Sequence, residues 1–392
     1  MTIEQLETDP HPVLHDLRSV GPVAWVDALE AWVVTGRALA ERVLRDASTF
    51  TVDDPRFSTA RVVGPSMLST DGAAHVHHRD PFVREFRPAH THTRFRALVE
   101  HKATDLVEAV RGAGHAEIRS AVAGPLAVFT MAEALGLGDT DAALVREWYD
   151  GIVAAVDDIT ALRDPSPRGA EAFTALRRHV ELATAAHEHS AVVVAAARRL
   201  PLDEVVSNTA VLLFGGIDTT EGMIANLVRH LLLHPDQLAE VQADRGLLAT
   251  AMEESVRLEP AAASVDRYAT GHADLDGASI RQGDMVIVSL AGANRDPAVF
   301  TDPDVFDLHR ADVGRHLSFA HGPHFCIGAH LARLETRCAL NAILDRLPGL
   351  RLDPDHDHAP RGLIFRKPPQ LHVRWSVPAG APSEPGRTSS PR

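Results

Sequence analysis

A chain of 392 residues with a formal charge of −14 and 45% hydrophobic residues is long enough for one large core or for two to three average domains. The acidic balance disfavours nucleic acid, whose phosphates call for a basic face, and a count of two cysteines excludes a disulfide framework and points to a reducing, cytoplasmic setting. The longest apolar run, Ala210 to Ile217, falls short of the roughly 20 residues of a bilayer span, and Met1 to Asp9 is acidic and has no signal-like apolar stretch. A soluble protein without membrane contact is therefore expected.

From Pro12 the pattern alternates short segments: amphipathic to Val20, strand-like over Val23–Val26 and Ala31–Thr35, helical over Ala38–Leu44. This layout predicts a small sheet beside helices. Pro55 to Ser69 carries Pro, Gly and Ser without periodicity and is expected to be a loop of functional length. Next, Asp71 to Pro81 contains the string HVHHRD, which invites a zinc reading. Arg79 and Asp80 stand where a binuclear hydrolase motif needs Asp and His, so a cation would sit among the ligands. On a helix, His75 and Arg79 instead share one face, four residues apart, as two donors gripping one carboxylate. His77 and His78 are expected at the surface.

Helices are predicted over Thr93–Val110, over Pro125–Leu135 with Pro125 in its first turn and Gly136 as its C-terminal cap, and over Ala142–Thr160 and Ala170–His187. The last two are separated by the Pro- and Gly-bearing segment Leu162 to Gly169, a candidate lid. A single long helix then spans Leu202 to His234, with Asp203 and Glu204 in its first turn and Pro235 beyond its end. Its middle, Phe214-Gly-Gly-Ile-Asp-Thr-Thr-Glu221, breaks helix rules. Each Gly costs about 1 kcal/mol against Ala, and a buried acid costs more unless partnered. Rules broken together mark a site. Gly215 and Gly216 leave room beside a cofactor, while Asp218 and the Thr219 hydroxyl form a proton path; Glu221 is a charge the sequence does not place.

Leu247 to Leu258 forms another helix with Glu254 and Arg257 on one face, followed by Arg267 in a strand-like stretch, strand and turn character over Asp274–Leu290, and Ala291-Gly-Ala-Asn-Arg-Asp-Pro297. Leu317 to Glu335 passes an apolar run and a turn at Gly322 and Pro323, presents Cys326, and opens a helix near Gly328 that continues to Leu347. A sulfur there faces free backbone N–H groups and the positive end of a helix dipole, both of which favour thiolate. Flanking glycines let the backbone approach a flat cofactor. Cys326 and Cys338 lie too far apart on that helix to bond. A closing strand is predicted over Leu371–Trp375, and no internal repeat is evident.

Phe319, Gly322, His324, Cys326 and Gly328 stand in the order F-x-x-G-x-H-x-C-x-G, which resembles the haem-binding loop of the cytochrome P-450 family; Ala320 departs from it where the family more often has Gly. Gly215 to Thr219 resembles the family's [AG]-G-x-[DE]-T, Glu254 and Arg257 its E-x-x-R with Arg310 as the third member, His75 and Arg79 its H-x-x-x-R, and Ala293 to Pro297 its A-N-R-D-P. The motifs occur in the family's order over nearly the whole chain. The resemblance implies a mainly α fold with a minor β portion, one domain over 1–377 and a disordered tail over 378–392. It implies haem b with Cys326 as metal ligand and His75, Arg79, Gly215, Arg267, Phe319, His324 and Gly328 around the cofactor. Asp218 and Thr219 are implied as catalytic proton donors, and Glu254, Arg257 and Arg310 as structural.

The activity implied is insertion of one atom of O2 into a small organic substrate, by hydroxylation or epoxidation, with electrons from NAD(P)H. No reductase is fused, so a separate ferredoxin or flavodoxin and its reductase are expected as partners, with Arg333 and Arg337 as candidates for meeting an acidic donor, and a monomer is expected. Two other classes are weighed: a haem sensor or carrier, which has no use for Asp218 and Thr219, and a zinc hydrolase built on His75, His77 and His78. The substrate is not legible in the letters.

Overall fold

The computed structural model describes residues 2–160, 163–185 and 192–377. In chain order, α1 (Ile3–Thr8) and α2 (Pro10–Val20) lead into β1 (Val23–Val26), β2 (Ala31–Val34), α3 (Arg37–Arg45), β3 (Phe50–Thr51), α4 (Ser58–Val63), α5 (Gly72–Val83) and α6 (Pro88–Arg111). The short β4 (His115–Glu117) precedes α7 (Gly124–Leu135), α8 (Ala142–Thr160), α9 (Pro167–Ala185), α10 (Val192–Ala197) and the rod α11 (Leu202–Leu233). Then come α12 (Pro235–Ala243), α13 (Leu248–Leu258), β5 (Ser264–Ala269), β6 (Ala273–Leu275), β7 (Ala278–Ile280), β8 (Met285–Ser289) and α14 (Leu290–Ala293). A mostly irregular wrap from residue 294 to 328 ends at α15 (Ala329–Arg346), followed by β9 (Arg351–Leu352) and β10 (His372–Arg374). The fold is mainly helical with a small β portion, as expected.

Helix α11 is the axis on which the site is built. At 1.5 Å per residue it is about 48 Å long. It is buried on every side along most of its length, as a core helix is, and 78% of its most apolar 18-residue window lies inside protein. Polar groups along it are satisfied locally. The Asn208 side chain accepts from the Met67 N–H at 2.8 Å and donates to the Glu204 carbonyl at 2.7 Å, and Thr209 donates to the Val205 carbonyl at 2.7 Å. The His230 ring meets the Ser255 hydroxyl at 2.9 Å, tying the rod to α13.

The principal sheet has the order β1-β2-β8-β5-β3, with β2 parallel to β8 and the remaining pairs antiparallel. Its register places Arg267 of β5 opposite Val286 of β8, and β3 pairs with the end of β5 at Tyr268 and Ala269. On α13, Glu254 and Arg257 are 0% exposed and pair at 2.7 and 2.8 Å. Arg310 joins the same carboxylate at 2.9 Å. Remaining guanidinium N–H groups donate to backbone carbonyls of the wrap: Arg257 to Asn294 and Pro303, Arg310 to Thr301 and Asp302. A buried charge left without partners is strongly destabilising, so this triad fixes the wrap that delivers the cysteine loop.

Several sequence expectations are revised. Pro55–Ser69 is not wholly irregular: it contains α4, six residues long, too short to show a period, closed by Gly64 at φ 81° and tied to α11 through Ser207 Oγ to the Val63 carbonyl at 2.5 Å. His78 is buried, not superficial, with Nδ1 against Asn208 Nδ2 at 2.9 Å; His77 is exposed and pairs with Glu204 at 2.7 Å. Helix α9 begins three residues earlier than expected, at Pro167, and its predicted end at His187 lies outside the described residues, as do part of the candidate lid and the tail 378–392. Helices α8 and α9 touch through glycine: a Cβ on Gly169 would stand 2.4 Å from that of Ala155, and one on Gly151 2.7 Å from that of Ala172.

Candidate active site

Between α11 and the cysteine loop lies a cavity of about 320 Å³. One wall is the loop. Its closure comes from the Cys326 N–H donating to the Phe319 carbonyl at 2.9 Å, the Ala320 N–H to Leu317 at 2.8 Å and the Phe325 N–H to Gly322 at 3.0 Å. Asn294 orients the loop's entry, accepting from the Leu317 N–H at 2.7 Å and donating to the Ser318 hydroxyl at 2.8 Å. Gly322 has φ 71°, and a Cβ there would lie 2.6 Å from the Leu44 carbonyl oxygen. This glycine therefore serves close approach to α3, not to a cofactor as its position in the sequence implied. Ala320 is held at φ 58°, a conformation costing an L-residue roughly 1–2 kcal/mol. The departure from the expected glycine is thus a strain that the loop's hydrogen bonds sustain.

Cys326 and Gly328 line the cavity, and Phe319 flanks them, carrying the Arg333 guanidinium 4.2 Å above its ring. Burial raises the thiol's pKa, outweighing the N–H groups of Gly328 and Ala329 and the charges of Arg79 and Arg333, which lower it. The helix terminus lowers the thiol, as expected, but desolvation outweighs it, and a bound metal cation would supply the missing stabilisation of S⁻.

The opposite wall is the notch in α11. Gly215 has nothing within 4 Å of where its Cβ would stand and is open to the cavity. Gly216 serves a different end, since its missing side chain admits Met131, whose Sδ would lie 2.4 Å from a Cβ. Thr219 lines the cavity and donates to the Gly215 carbonyl at 2.5 Å. Asp218 is not part of the lining. It is tied to Lys367, which also reaches Glu221 at 3.4 Å. Glu221 is clamped by Arg119 at 2.6 Å and Arg146 at 3.3 Å, and Arg146 reaches out to Asp150 at 2.8 Å. The charge that the sequence could not place is the hub of this network. Tyr149 lies beside it, its buried hydroxyl without a well-formed hydrogen bond, and burial together with Asp218 raises its pKa.

At one end of the cavity the cations gather. Arg79, Arg267 and His324 line it, while His75, 4% exposed, stands behind His324 with ring centroids 4.2 Å apart. Arg79 donates to the Phe325 carbonyl at 2.6 Å, linking α5 to the cysteine loop. His324 meets Asp71 at 2.8 Å, and Asp71 also accepts from the Thr51 hydroxyl at 2.7 Å and the Val52 N–H at 2.8 Å. Burial pushes the Asp71 carboxyl up, but these partners outweigh it and hold the pKa at about 2. Burial and the neighbouring His324 and Arg79 charges lower His75 to about 4, and burial lowers Arg267 to about 10. Asp71 is the only carboxylate hydrogen-bonded here among the described residues, and His75 Nδ1 is buried without a partner. The set is built for further anionic oxygen atoms, which the two propionates of a haem carry, and an open sulfur with a side-chain-free notch across from it fits the flat ring between them. Asp71, His75 and His324 also present donor atoms within 4.8 Å of one another, but His77 and His78 point elsewhere, so the zinc arrangement read from the HVHH run is not formed.

Most of the sequence-predicted residues therefore meet around one cavity. Missed were Asp71, Lys367, Arg119 and Arg146; the Lys367–Asp218 pair spans 149 positions, and no local pattern announces it. Arg333 is paired with Glu253 at 2.6 Å, and Arg337 is exposed.

Residues 177–371 match the family model described as Cytochrome P450. The chain is 34% identical over 401 residues to cytochrome P450 monooxygenase PikC of Streptomyces venezuelae, covering 95% of this chain and 92% of that protein. It is 32% identical over 360 residues to the biotin biosynthesis cytochrome P450 of Bacillus subtilis, covering 88% and 90%. Among solved structures, the post-tailoring hydroxylase HmtN of himastatin biosynthesis superposes with a TM-score of 0.83 at 29% identity, covering 94% of this chain and 98% of that one. Cysteine loop, notched helix and cation cluster stand together in a chain related to these proteins over nearly its whole length, and the chain belongs to the cytochrome P450 family.

Proposed function

We propose that this haem-thiolate monooxygenase inserts one oxygen atom from O2 into a C–H bond or double bond of a small natural-product substrate lying in the cavity beside Gly215 and Thr219. The observation that carries this reading is the convergence of one open sulfur, one side-chain-free notch and a surplus of cations on a single cavity. Cys326 would be the thiolate ligand of haem b. Arg79, Arg267 and His324 would hold its propionates, with His75 set behind His324. When bound, a thiolate-ligated haem supplies the oxygen-activating redox chemistry that a protein side chain lacks.

The chain's own residues do the rest. Gly215 would leave room for the cofactor beside it, and the Thr219 hydroxyl, whose proton rests on the Gly215 carbonyl, would donate toward the cavity on releasing that bond. Asp218, on leaving Lys367 and taking up a proton from water, would pass that proton toward the hydroxyl. Electrons come from NAD(P)H through a separate ferredoxin or flavodoxin and its reductase, and the protein works in the cytoplasm as a monomer.

The reduced, CO-treated protein tests the reading. The absorption band of thiolate-ligated haem is expected, absent in Cys326→Ser; an imidazole-type band in the wild type overturns it. Thr219→Ala is expected to lose product while still consuming reductant. Undiminished product formation in that variant removes the proton role from Thr219 and favours a peroxide-driven route.

A further inference from the structure

One buried polar group beside the site takes no part in the proton path from Asp218 to Thr219. Tyr149 on α8 is 2% exposed, and its hydroxyl, shut off from solvent, has no well-formed hydrogen bond among the described residues. Ser207, Asn208, Thr209 and His230, buried on the adjoining α11, each close theirs. A hydroxyl enclosed without a partner is costly, and such an orphan asks for a partner that arrives in another state of the molecule.

The neighbours of that hydroxyl are the charges on α11. Arg146, one turn earlier on α8, lies 5.3 Å from the centre of the Tyr149 ring and reaches the Glu221 carboxylate at 3.3 Å. The ring is thereby seated against the cluster, and its hydroxyl approaches the Asp218 carboxylate without closing a bond to it. Lys367 holds Asp218 through Oδ1 and stands 3.4 Å from Glu221. If Lys367 moved away, Glu221 would keep Arg119 and Arg146, whereas Asp218 has no other ion pair among the described residues. Asp157, two turns further along α8, adds a like charge. Burial, Asp218 and Glu221 raise the pKa of the phenol against the opposing charge of Arg146, so it remains a protonated donor.

We propose that Tyr149 is a positioning residue for the proton transfer: its hydroxyl takes over the Asp218 carboxylate when Lys367 releases it, and holds the acid inside the molecule until it picks up its proton. The inference rests on the reading that Asp218 passes a proton toward Thr219, and it deepens that reading by naming what holds Asp218 between partners. A phenol suits the task. It donates one charge-assisted hydrogen bond and leaves the other carboxylate oxygen free for a proton from water, whereas a second cation in its place would hold the carboxylate ionised.

The test uses the reduced, CO-bound holoenzyme, which is diamagnetic, grown on tyrosine carrying carbon-13 at Cζ. The chain has two tyrosines, Tyr149 and Tyr268, so two resonances are read and Tyr268→Phe assigns them. A phenol that donates more fully to a carboxylate has its Cζ resonance displaced downfield, toward that of a phenolate. Lys367→Met is expected to displace Tyr149 downfield and leave Tyr268 in place, and Lys367→Arg to return Tyr149 to its wild-type position. In the double variant Lys367→Met with Asp218→Ala the displacement is expected to vanish, because its acceptor is gone. Retention of the thiolate-type CO band certifies that each variant is folded and loaded. A Tyr149 resonance that is unmoved or moves upfield in Lys367→Met overturns the proposal. So does a displacement that persists in the double variant, which would report only the lost charge of Lys367. The haem reading is judged by the CO band of the wild type and the proton role by product formation in Thr219→Ala, so neither of those failures is mistaken for this one.

Discussion

Two charged clusters lie on either side of the cysteine loop and are built to opposite rules. In the triad Glu254, Arg257 and Arg310, the carboxylate and both guanidinium groups find partners within the chain, at 2.6 to 3.1 Å. At the other end, His75, Arg79, Arg267 and His324 share one hydrogen-bonded carboxylate, Asp71, and a buried ring nitrogen is left over. The triad is buried and the second cluster partly so, with His75 and Arg267 buried and Arg79 half-buried, and both are recognisable as sequence motifs. A cluster whose charges close within the chain is structure, because nothing is left to bind; one whose charges do not close is a site, because the missing partner must come from outside.

The contrast can be broken most forcefully at the triad. Glu254→Gln leaves two guanidinium groups buried without their anion and is expected to cost about 3–5 kcal/mol in urea unfolding of apoprotein and holoprotein alike. A smaller, asymmetric effect is expected across the loop. Arg267→Gln should leave apoprotein stability unchanged or raised, while haem dissociates about tenfold faster, as when one charge-assisted hydrogen bond is lost. If the apoprotein is instead destabilised as much as by Glu254→Gln, the two clusters do not differ in kind.

On the distal side, Lys367→Met should change the yield of product per electron pair by about two- to tenfold, as Asp218 loses its partner, with Lys367→Arg restoring it. Asp71 supplies the pH arm. Its folded pKa of about 2 lies below the ordinary 3.8, so its stabilising contribution is present above about 3.8 and is lost as pH falls toward 2. Asp71→Asn should therefore flatten the acid limb of stability measured between those values. The smallest effect belongs to the loop: Ala320→Gly relieves the left-handed backbone and should stabilise the protein by about 0.5–1 kcal/mol in the same assay.

The residues that the sequence made readable share a property: each breaks a local rule. Gly215 and Asp218 stand out because glycine and a buried acid are poor choices inside an apolar helix, and Cys326 because it opens a helix behind a Gly/Pro turn. Helix ends were placed within a few residues at α7 and α11 by proline, glycine and charge at their termini. Lys367 breaks no such rule. It follows Arg366 in a strand-poor segment and acquires meaning only when the chain brings it beside α11. Gly216 shows the converse, since its peculiarity was legible while its purpose, admitting Met131, was not.

By itself, then, the sequence determined the helical framework, the sulfur and the notch, because periodicity, capping and rule-breaking are local and survive in the order of the letters. The tertiary structure alone decided which charges are satisfied within the chain and which are left for a ligand. That balance depends on contacts between residues as far apart as Asp71 and His324, or Asp218 and Lys367, and on a desolvation that exists only once the core has closed around them.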